Sequence, residues 1–178
     1  MIQSISDIEE WYQSEDPWGY KESKADLDRK KFLLESLQNS SYMNVLDIGC
    51  GNGFVTNALP GETVVGVDIS ENAIMHARRN APSHVIYEKG SIFDLNFINQ
   101  KFDLIIITGV LYPHYIGNSS RLIFDVIDKL LLSGGELVTV HIDDWCDVVF
   151  PYYKVCEEYY SYHRKEGVYT HKLVGYIK

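Results

Sequence analysis

Three glycines alternate with other residues directly after a short apolar segment, at Gly49, Gly51 and Gly53. The preceding segment Val45-Leu46-Asp47-Ile48 has the composition of a buried strand. Glycine has no side chain, so such a loop lets a ligand approach the backbone closely. In open α/β sheets, ligands bind beyond the carboxyl ends of the strands, and the loop after the first strand is the usual floor of the site. The glycines therefore predict a ligand-binding loop.

The spacing of these glycines disfavours an NAD-dependent oxidoreductase. The dinucleotide fingerprint places its third glycine five residues after the first, and this chain has Phe54 there. Asp68 ends a second apolar segment, about 20 residues after the first glycine. A carboxylate at that place can accept hydrogen bonds from both hydroxyls of a ribose. NAD enzymes use the same device, so Asp68 indicates a ribose without identifying the cofactor.

A parallel sheet is needed to bring these residues together, and the rest of the chain predicts one. Short apolar segments alternate with helical ones, which is typical of parallel strands joined by right-handed crossovers. The predicted strands cover residues 43–48, 63–68, 84–87, 102–108 and 136–141, and the predicted helices cover 54–59, 71–80 and 121–132. Ser133-Gly134-Gly135 is predicted to end the last helix. Two tyrosine-rich segments, 156–163 and 168–177, predict a β-hairpin around Arg164-Lys165-Glu166-Gly167. We expect a doubly wound α/β fold with a mostly parallel, seven-stranded sheet and a C-terminal antiparallel hairpin.

The first 40 residues are polar, with predicted helices at 7–12 and 26–37. They carry Trp11, Tyr12, Trp18 and Tyr20, and large aromatic side chains in a polar segment need burial somewhere. Two arrangements fit: a helical lid over the ligand and its reaction partner, or ordinary docking on the sheet. With this segment included, residues 1–178 are predicted to form a single domain.

The composition of the chain disfavours several classes of binding partner. The chain has 178 residues and a formal net charge of −9, without the basic footprint that is usual for nucleic-acid binding. No apolar run is long enough to span a bilayer, so no membrane partner is expected. Three cysteines form no CxxC pair, which favours free thiols in the cytoplasm. No spacing indicates a metal site, and the oligomeric state stays open.

Together, five segments resemble the motifs of the class I S-adenosylmethionine (SAM)-dependent methyltransferases. The glycine loop, with an acid two residues before its first glycine, resembles motif I, and Asp68 matches the acid of the second strand. The other matching segments are 90–95, where Ser91 replaces the usual Asp, 102–112, where Gly109 replaces the acid of many relatives, and 132–137. The resemblance implies SAM as cofactor, S-adenosylhomocysteine (SAH) as product and the Rossmann-like fold of that family.

The resemblance also implies which residues hold the cofactor: Asp47, Gly49, Gly51, Gly53, Asp68, Ile69, Ser91, Ile92 and Thr108. Asp47 is expected to orient the SAM amino group through water, to cap the glycine loop by accepting backbone N–H bonds, or both. Ile69 and Ile92 are expected to sandwich the adenine ring, and the Ser91 hydroxyl to accept from its amino group. Asp94 is expected to bond its own loop.

The acceptor side is expected beyond the fourth strand, over the methyl group. His114 is the best candidate for a general base because histidine titrates near neutral pH, and Tyr112 is the second candidate. His141, Asp143 and Asp144, at the end of the fifth strand, could bind a polar or cationic acceptor or form a solvated acidic turn. Trp18 and Tyr20 are further candidates for substrate contact. His76, on a helix with two arginines, is expected at the surface.

A narrower resemblance lies near the N-terminus. Asp16-Pro17-Trp18-Gly19-Tyr20 followed by Arg29-Lys30-Lys31 is similar to the NodS-like N-methyltransferases, which methylate an amino sugar at the end of a chitooligosaccharide. This implies a small-molecule acceptor, with a sugar-like amine as one possibility. Two alternatives stay open: a SAM-binding protein with little or no catalysis, and a methyltransferase of RNA or protein.

Overall fold

Seven strands and five α-helices lie in residues 2–164 and 167–178, which the computed structural model describes. The strands are β1 (Tyr42–Ile48), β2 (Gly61–Asp68), β3 (Val85–Lys89), β4 (Phe102–Thr108), β5 (Leu131–Ile142), β6 (Tyr153–Arg164) and β7 (Gly167–Ile177). The helices are α1 (Ile5–Trp11), α2 (Lys24–Glu35), α3 (Glu71–Arg79), α4 (Pro113–Ile116) and α5 (Ser120–Leu130). Single 3-10 turns cover Thr56–Ala58 and Asp143–Trp145.

The strands form one sheet in the order β3-β2-β1-β4-β5-β7-β6. The first five are parallel, whereas β7 runs antiparallel to both β5 and β6. The predicted doubly wound sheet with a terminal hairpin is confirmed. The chain crosses from one side of β1 to the other when it enters β4, so the carboxyl ends of these two strands border the crevice where open α/β sheets bind ligands.

β4 is the central strand, as its unbroken apolar run predicts. The four side chains from Leu104 to Ile107 are fully buried. Ile105 and Ile107 pack in the layer that contains the inner face of α5, whereas Leu104 and Ile106 pack in the layer that contains α3 and part of α2. This alternation follows from the period of a strand, which sends successive side chains to opposite faces.

The helix predicted over residues 54–59 is wrong, because only the 3-10 turn Thr56–Ala58 forms. Pro60 disfavours helical backbone at the residue before it, and Leu59 is extended. The glycines at 134 and 135 also act differently from the prediction. α5 ends at Leu130, and these glycines lie inside β5, where the pairing with β4 shifts register before Glu136.

The hairpin strands are longer than predicted, and the predicted turn residues Lys165 and Glu166 lie outside the described residues. None of the described helices is both long and apolar enough to cross a membrane. In the same part of the chain, no three metal-ligating side chains cluster together.

Candidate functional site

A cavity of about 640 Å³ lies at the carboxyl ends of β1, β2 and β4 and is covered by α1 and the loop that follows it. Its size suits a small organic ligand. It brings together every residue predicted to hold the cofactor except Gly53: Asp47, Gly49, Gly51, Asp68, Ile69, Ser91, Ile92 and Thr108 line it. Trp18 and Tyr20 line it from the N-terminal segment, whereas Tyr112, His114, His141 and Asp143 do not.

The glycine loop has the geometry that its sequence predicts. Gly49 and Gly51 adopt φ of +79° and +55°, which side chains rarely tolerate. A Cβ on Gly49 would stand 2.2 Å from Val110 Cγ2, and one on Gly51 would stand 2.6 Å from the Tyr12 hydroxyl. Gly53 instead faces Tyr87, whose hydroxyl would lie 2.3 Å from an added Cβ. Gly49 and Gly51 therefore allow close approach at the cavity, and Gly53 allows packing beside it.

Asp68 holds the loop from the end of β2. Its Oδ2 accepts from the Gly51 N–H (2.9 Å) and its Oδ1 from the Ser70 N–H (2.9 Å). Burial raises the pKa of Asp68, and these two N–H groups oppose the rise. A carboxylate oxygen has more than one acceptor site. The Asp68 carboxylate therefore keeps acceptor capacity beyond these two bonds.

Asp47 is bound differently from the expected loop cap. Its Oδ2 accepts from the Thr56 hydroxyl (2.7 Å) rather than from backbone N–H groups. Its Oδ1 is buried and has no hydrogen-bond partner among the described residues. Burial raises the pKa of Asp47 to about 7, and the nearby charge of Asp68 adds to the rise, whereas the Thr56 hydroxyl opposes it. A buried carboxylate oxygen without a partner is costly, which makes it a candidate contact for a ligand cation.

Arg29 is a candidate site residue that sequence reasoning did not single out. It extends from α2 to the cavity wall, where its Nη2 lies 3.0 Å from Asp26 Oδ1 and its guanidinium lies 5.1 Å from the centre of the Tyr20 ring. Asp26 also accepts from the Tyr162 hydroxyl (2.7 Å), so the hairpin helps to hold it. The Arg29 Nε is buried without a hydrogen-bond partner among the described residues. The only signal in the sequence was its place in the Arg-Lys-Lys segment.

The N-terminal segment is latched onto α3. The Glu9 carboxylate accepts from the Ser70 hydroxyl (2.7 Å) and from the backbone N–H groups of Glu71 (2.8 Å) and Asn72 (3.1 Å), so it caps α3 from another part of the chain. The prediction that His76 lies at the surface is wrong. It is 7% exposed, and its Nε2 lies 3.0 Å from the Tyr12 carbonyl oxygen. The N-terminal segment therefore covers the helix face that carries His76.

The cavity also contains the residues predicted to meet the adenine ring. Ile69 and Ile92 both line it, and Ile92 is buried. The Ser91 hydroxyl accepts from the Phe93 N–H (3.3 Å), which occupies part of its acceptor capacity. Asp94 is exposed and accepts from the backbone and side chain of Asn96, as expected for a residue that bonds its own loop.

A second cavity of about 430 Å³ lies beside the loop after β4, lined by Pro113, His114, Asp144, Trp145 and Asp147. The His114 ring stacks on the Tyr112 ring at 5.4 Å, and burial lowers the pKa of His114. Burial raises the pKa of Tyr112 to about 12. Trp145 is 46% exposed, so the cavity has an aromatic wall with carboxylates on either side of it in sequence.

His141 and Asp143, predicted to meet the acceptor, line neither cavity. His141 is buried under the loop after β4 and accepts from the backbone of that loop. Asp143 lies 3.7 Å from the Lys172 ammonium. Their positions favour a structural role, in which His141 bonds the loop after β4 and Asp143 pairs with Lys172, over contact with an acceptor.

Residues 39–174 match a protein family described as a methyltransferase domain. Nodulation protein S of Rhizobium tropici is 29% identical over 132 residues, which are 70% of this chain and 54% of that protein. The ribosomal protein L11 methyltransferase of Dictyoglomus turgidum is 40% identical over 83 residues, which are 43% of this chain and 25% of that protein. The chain thus spans about half, or less, of the length of these curated relatives.

Among solved structures, the N-methyltransferase NodS of Bradyrhizobium japonicum WM9 in complex with SAH superposes with a TM-score of 0.86. The alignment covers 98% of this chain and 97% of that one at 22% identity. The two chains therefore share one fold over nearly their whole length, including the N-terminal segment and the terminal hairpin.

Proposed function

The chain belongs to the class I SAM-dependent methyltransferases, and from that premise we propose that it transfers the methyl group of SAM to an amino group of a small, sugar-like acceptor. One observation carries the proposal for the cofactor site. The cavity is bordered by two buried polar atoms without hydrogen-bond partners among the described residues, Asp47 Oδ1 and Arg29 Nε, which belong to side chains of opposite charge. SAM ends in an amino acid with one ammonium and one carboxylate, so it would satisfy both.

The remaining contacts follow from the lining of the cavity. We assign the ribose hydroxyls to Asp68, which keeps acceptor capacity beside its two backbone bonds. The adenine ring is assigned to the apolar side chains of Ile69 and Ile92, and the backbone of Gly49 and Gly51 to the floor beneath the cofactor. When bound, SAM supplies a methyl group that its sulfonium already activates. The chain has to hold the acceptor in line and keep water out.

The second cavity supports a cationic acceptor. Asp144 and Asp147 form no ion pair with any described residue, and Trp145 presents an exposed ring between them in sequence. Carboxylates and an indole face both attract an ammonium group. An amino sugar combines such a group with a ring that can stack on an aromatic side chain. The rest of an amino sugar is uncharged, so it is not repelled by an acidic protein.

His114 is the proposed base of this site. An amine attacks through its lone pair, so an ammonium acceptor has to lose a proton first. Burial lowers the pKa of His114, which keeps its imidazole neutral and able to accept that proton at neutral pH. Tyr112 is unsuited to this role, because its raised pKa of about 12 keeps its hydroxyl protonated.

Transfer of labelled methyl groups from SAM tests the proposal. Glucosamine and de-N-acetylated chitooligosaccharides serve as acceptors, and their fully N-acetylated forms serve as matched controls. We expect label in the free amines only, and a lower rate in His114→Ala than in His84→Ala, whose histidine is exposed immediately before β3. Equal labelling of the N-acetylated forms would overturn the choice of an amine.

The L11 methyltransferase relative is the observation that favours a second candidate, a protein acceptor. Gly109 stands where many relatives carry an acid, and a Cβ there would meet open space. The absence of that acid favours a third candidate function, SAM binding with little catalysis. Labelling of ribosomal protein but not of amines would identify the protein acceptor. SAH binding without turnover on any acceptor would identify a SAM-binding protein with little catalysis.

We further propose that residues 1–178 act as one catalytic domain with residues 1–40 as its lid, and that the protein works in the cytoplasm. The match of the lid and the hairpin to one solved chain supports the first proposal. The three free cysteines of the described residues support the second.

A further inference from the structure

A buried histidine and a tyrosine join the loop after β4 to the end of β5. His141 is 3% exposed, and its Nε2 lies 3.3 Å from the Val110 nitrogen and 3.1 Å from the Leu111 nitrogen. Both partners are backbone N–H donors, so Nε2 has to be the acceptor. The ring is therefore neutral and carries its proton on Nδ1. A protonated His141 could not accept either bond.

The second connection runs in the opposite direction. The Tyr112 hydroxyl, which belongs to the loop, accepts from the Ile142 N–H (2.9 Å) of β5. The Tyr112 ring packs edge-on against the His141 ring, with 5.4 Å between the centroids and 89° between the planes. His141 of β5 thus accepts bonds from the loop, and Tyr112 of the loop accepts a bond from β5. We call this pair the β4–β5 clamp.

The clamped loop forms a wall of the cofactor cavity. Gly109 and Val110 of the loop line it beside Thr108, the last residue of β4. Val110 also fills the space in front of Gly49, because its Cγ2 lies 2.2 Å from the place of an added Cβ. Any shift of the loop would therefore change the contact between Val110 and the glycine loop. Tyr112 and its neighbour His114 stack, so the same shift would also move the wall of the second cavity.

We propose that His141 and Tyr112 are positioning residues for methyl transfer: they hold the loop between the two cavities without touching cofactor or acceptor. This inference rests on the proposed function. In-line transfer depends on the placing of the reacting groups, and a misplacement of about 1 Å can cost about 100-fold in rate. A loop that carries walls of both cavities is a place where such a displacement would arise.

The test compares three variants of the full chain. His141→Leu removes the acceptor, His141→Gln restores one through its side-chain oxygen, and Tyr112→Phe removes only the hydroxyl. In the amine assay above, we expect kcat to fall about 10- to 100-fold in His141→Leu and to recover largely in His141→Gln. SAH affinity should stay within about threefold of the wild type in all three, because the proposed SAH contacts Asp47, Arg29 and Asp68 lie on β1, α2 and β2, outside the clamped loop.

Hydrogen exchange of the Val110 and Leu111 amides measures the clamp without any acceptor. Both should exchange at least about tenfold faster in His141→Leu and return toward the wild-type rate in His141→Gln. Unchanged exchange in His141→Leu would overturn the clamp itself. Faster exchange with an unchanged kcat would overturn the positioning role. A wild type that binds SAH but methylates nothing would contradict the proposed function, and the positioning role with it, while the exchange rates still decide whether the clamp exists.

Discussion

Replacement of Asp47 by asparagine should weaken SAH binding and stabilise the free protein at the same time. The side-chain oxygen of the introduced amide can still accept from the Thr56 hydroxyl, as Asp47 Oδ2 does at 2.7 Å. The change therefore falls on Oδ1, the buried oxygen that has no partner among the described residues. In Asp47→Asn, an amide N–H₂ donor takes the place of this carboxylate oxygen, and it cannot accept from the ammonium of SAH.

The expected loss follows from the strength of a hydrogen bond to a charged group, about 1.5–3 kcal/mol, which corresponds to about 10- to 150-fold in affinity. The wild type should also bind more weakly in acid, because Asp47 has a pKa of about 7 and only its ionised form attracts the ammonium. Its ionised fraction falls roughly eightfold from about pH 7.5 to about pH 6, and affinity should follow.

The stability effect has the opposite sign. Burial raises the pKa of Asp47 from its ordinary 3.8 to about 7, so the native state keeps a proton that the unfolded chain has lost. Stability from this group is present in acid and is lost as pH rises from about 4 to about 7. Asp47→Asn has no such loss, so its melting temperature should exceed that of the wild type at about pH 7.5.

Calorimetric titration with SAH at two pH values, together with thermal unfolding of the free proteins, measures all three effects. Asp94→Asn is the matched control, since it makes the same charge change at an exposed residue outside the cavity. If Asp47→Asn bound SAH as tightly as the wild type and with the same pH dependence, the assignment of Oδ1 to the ammonium would be refuted.

Three further predictions concern the same cavity. Asp68→Ala should cost roughly 2–4 kcal/mol of SAH affinity in calorimetry and lower the melting temperature, because two backbone N–H groups lose their acceptor. Arg29→Met should weaken SAH at least about tenfold through loss of the carboxylate contact, whereas Lys31→Met, at an exposed position of the same helix, should not; equal affinities would refute that contact. Glu9→Gln should speed SAH dissociation in stopped-flow measurements by weakening the latch of the lid on α3, and an equal effect of Glu10→Gln, at an exposed neighbour, would contradict the latch.

The parts of the fold that could be predicted are those where local pattern and environment agree. The run from Leu104 to Ile107 is apolar at every position, and a strand covered on both faces buries all four side chains. Gly49 and Gly51 have positive φ, as a tight loop beneath a ligand requires. The tyrosine-rich end of the chain forms a hairpin because tyrosine and β-branched residues fit a pleated surface.

The parts that could not be predicted depend on contacts between distant segments. The sequence of α3 predicts a surface position for His76, but this residue is buried and contacts the carbonyl oxygen of Tyr12, which is remote in sequence. Arg29 reads as one of several cations on a polar helix, and its place at the cavity depends on Asp26 and on Tyr162 of the hairpin. Side-chain periodicity carries no information about such partners, since it reports only which face of an element is apolar.

Titration of the purified protein with SAH, with NAD as the control, tests the central claim most directly. The cavity, its glycine loop and two buried atoms without hydrogen-bond partners among the described residues, Asp47 Oδ1 and Arg29 Nε, predict micromolar or tighter binding of SAH and no measurable binding of NAD. Binding of NAD without affinity for SAH would contradict the account, because the cavity would then hold a dinucleotide and the assignments of Asp47 and Arg29 would fail together.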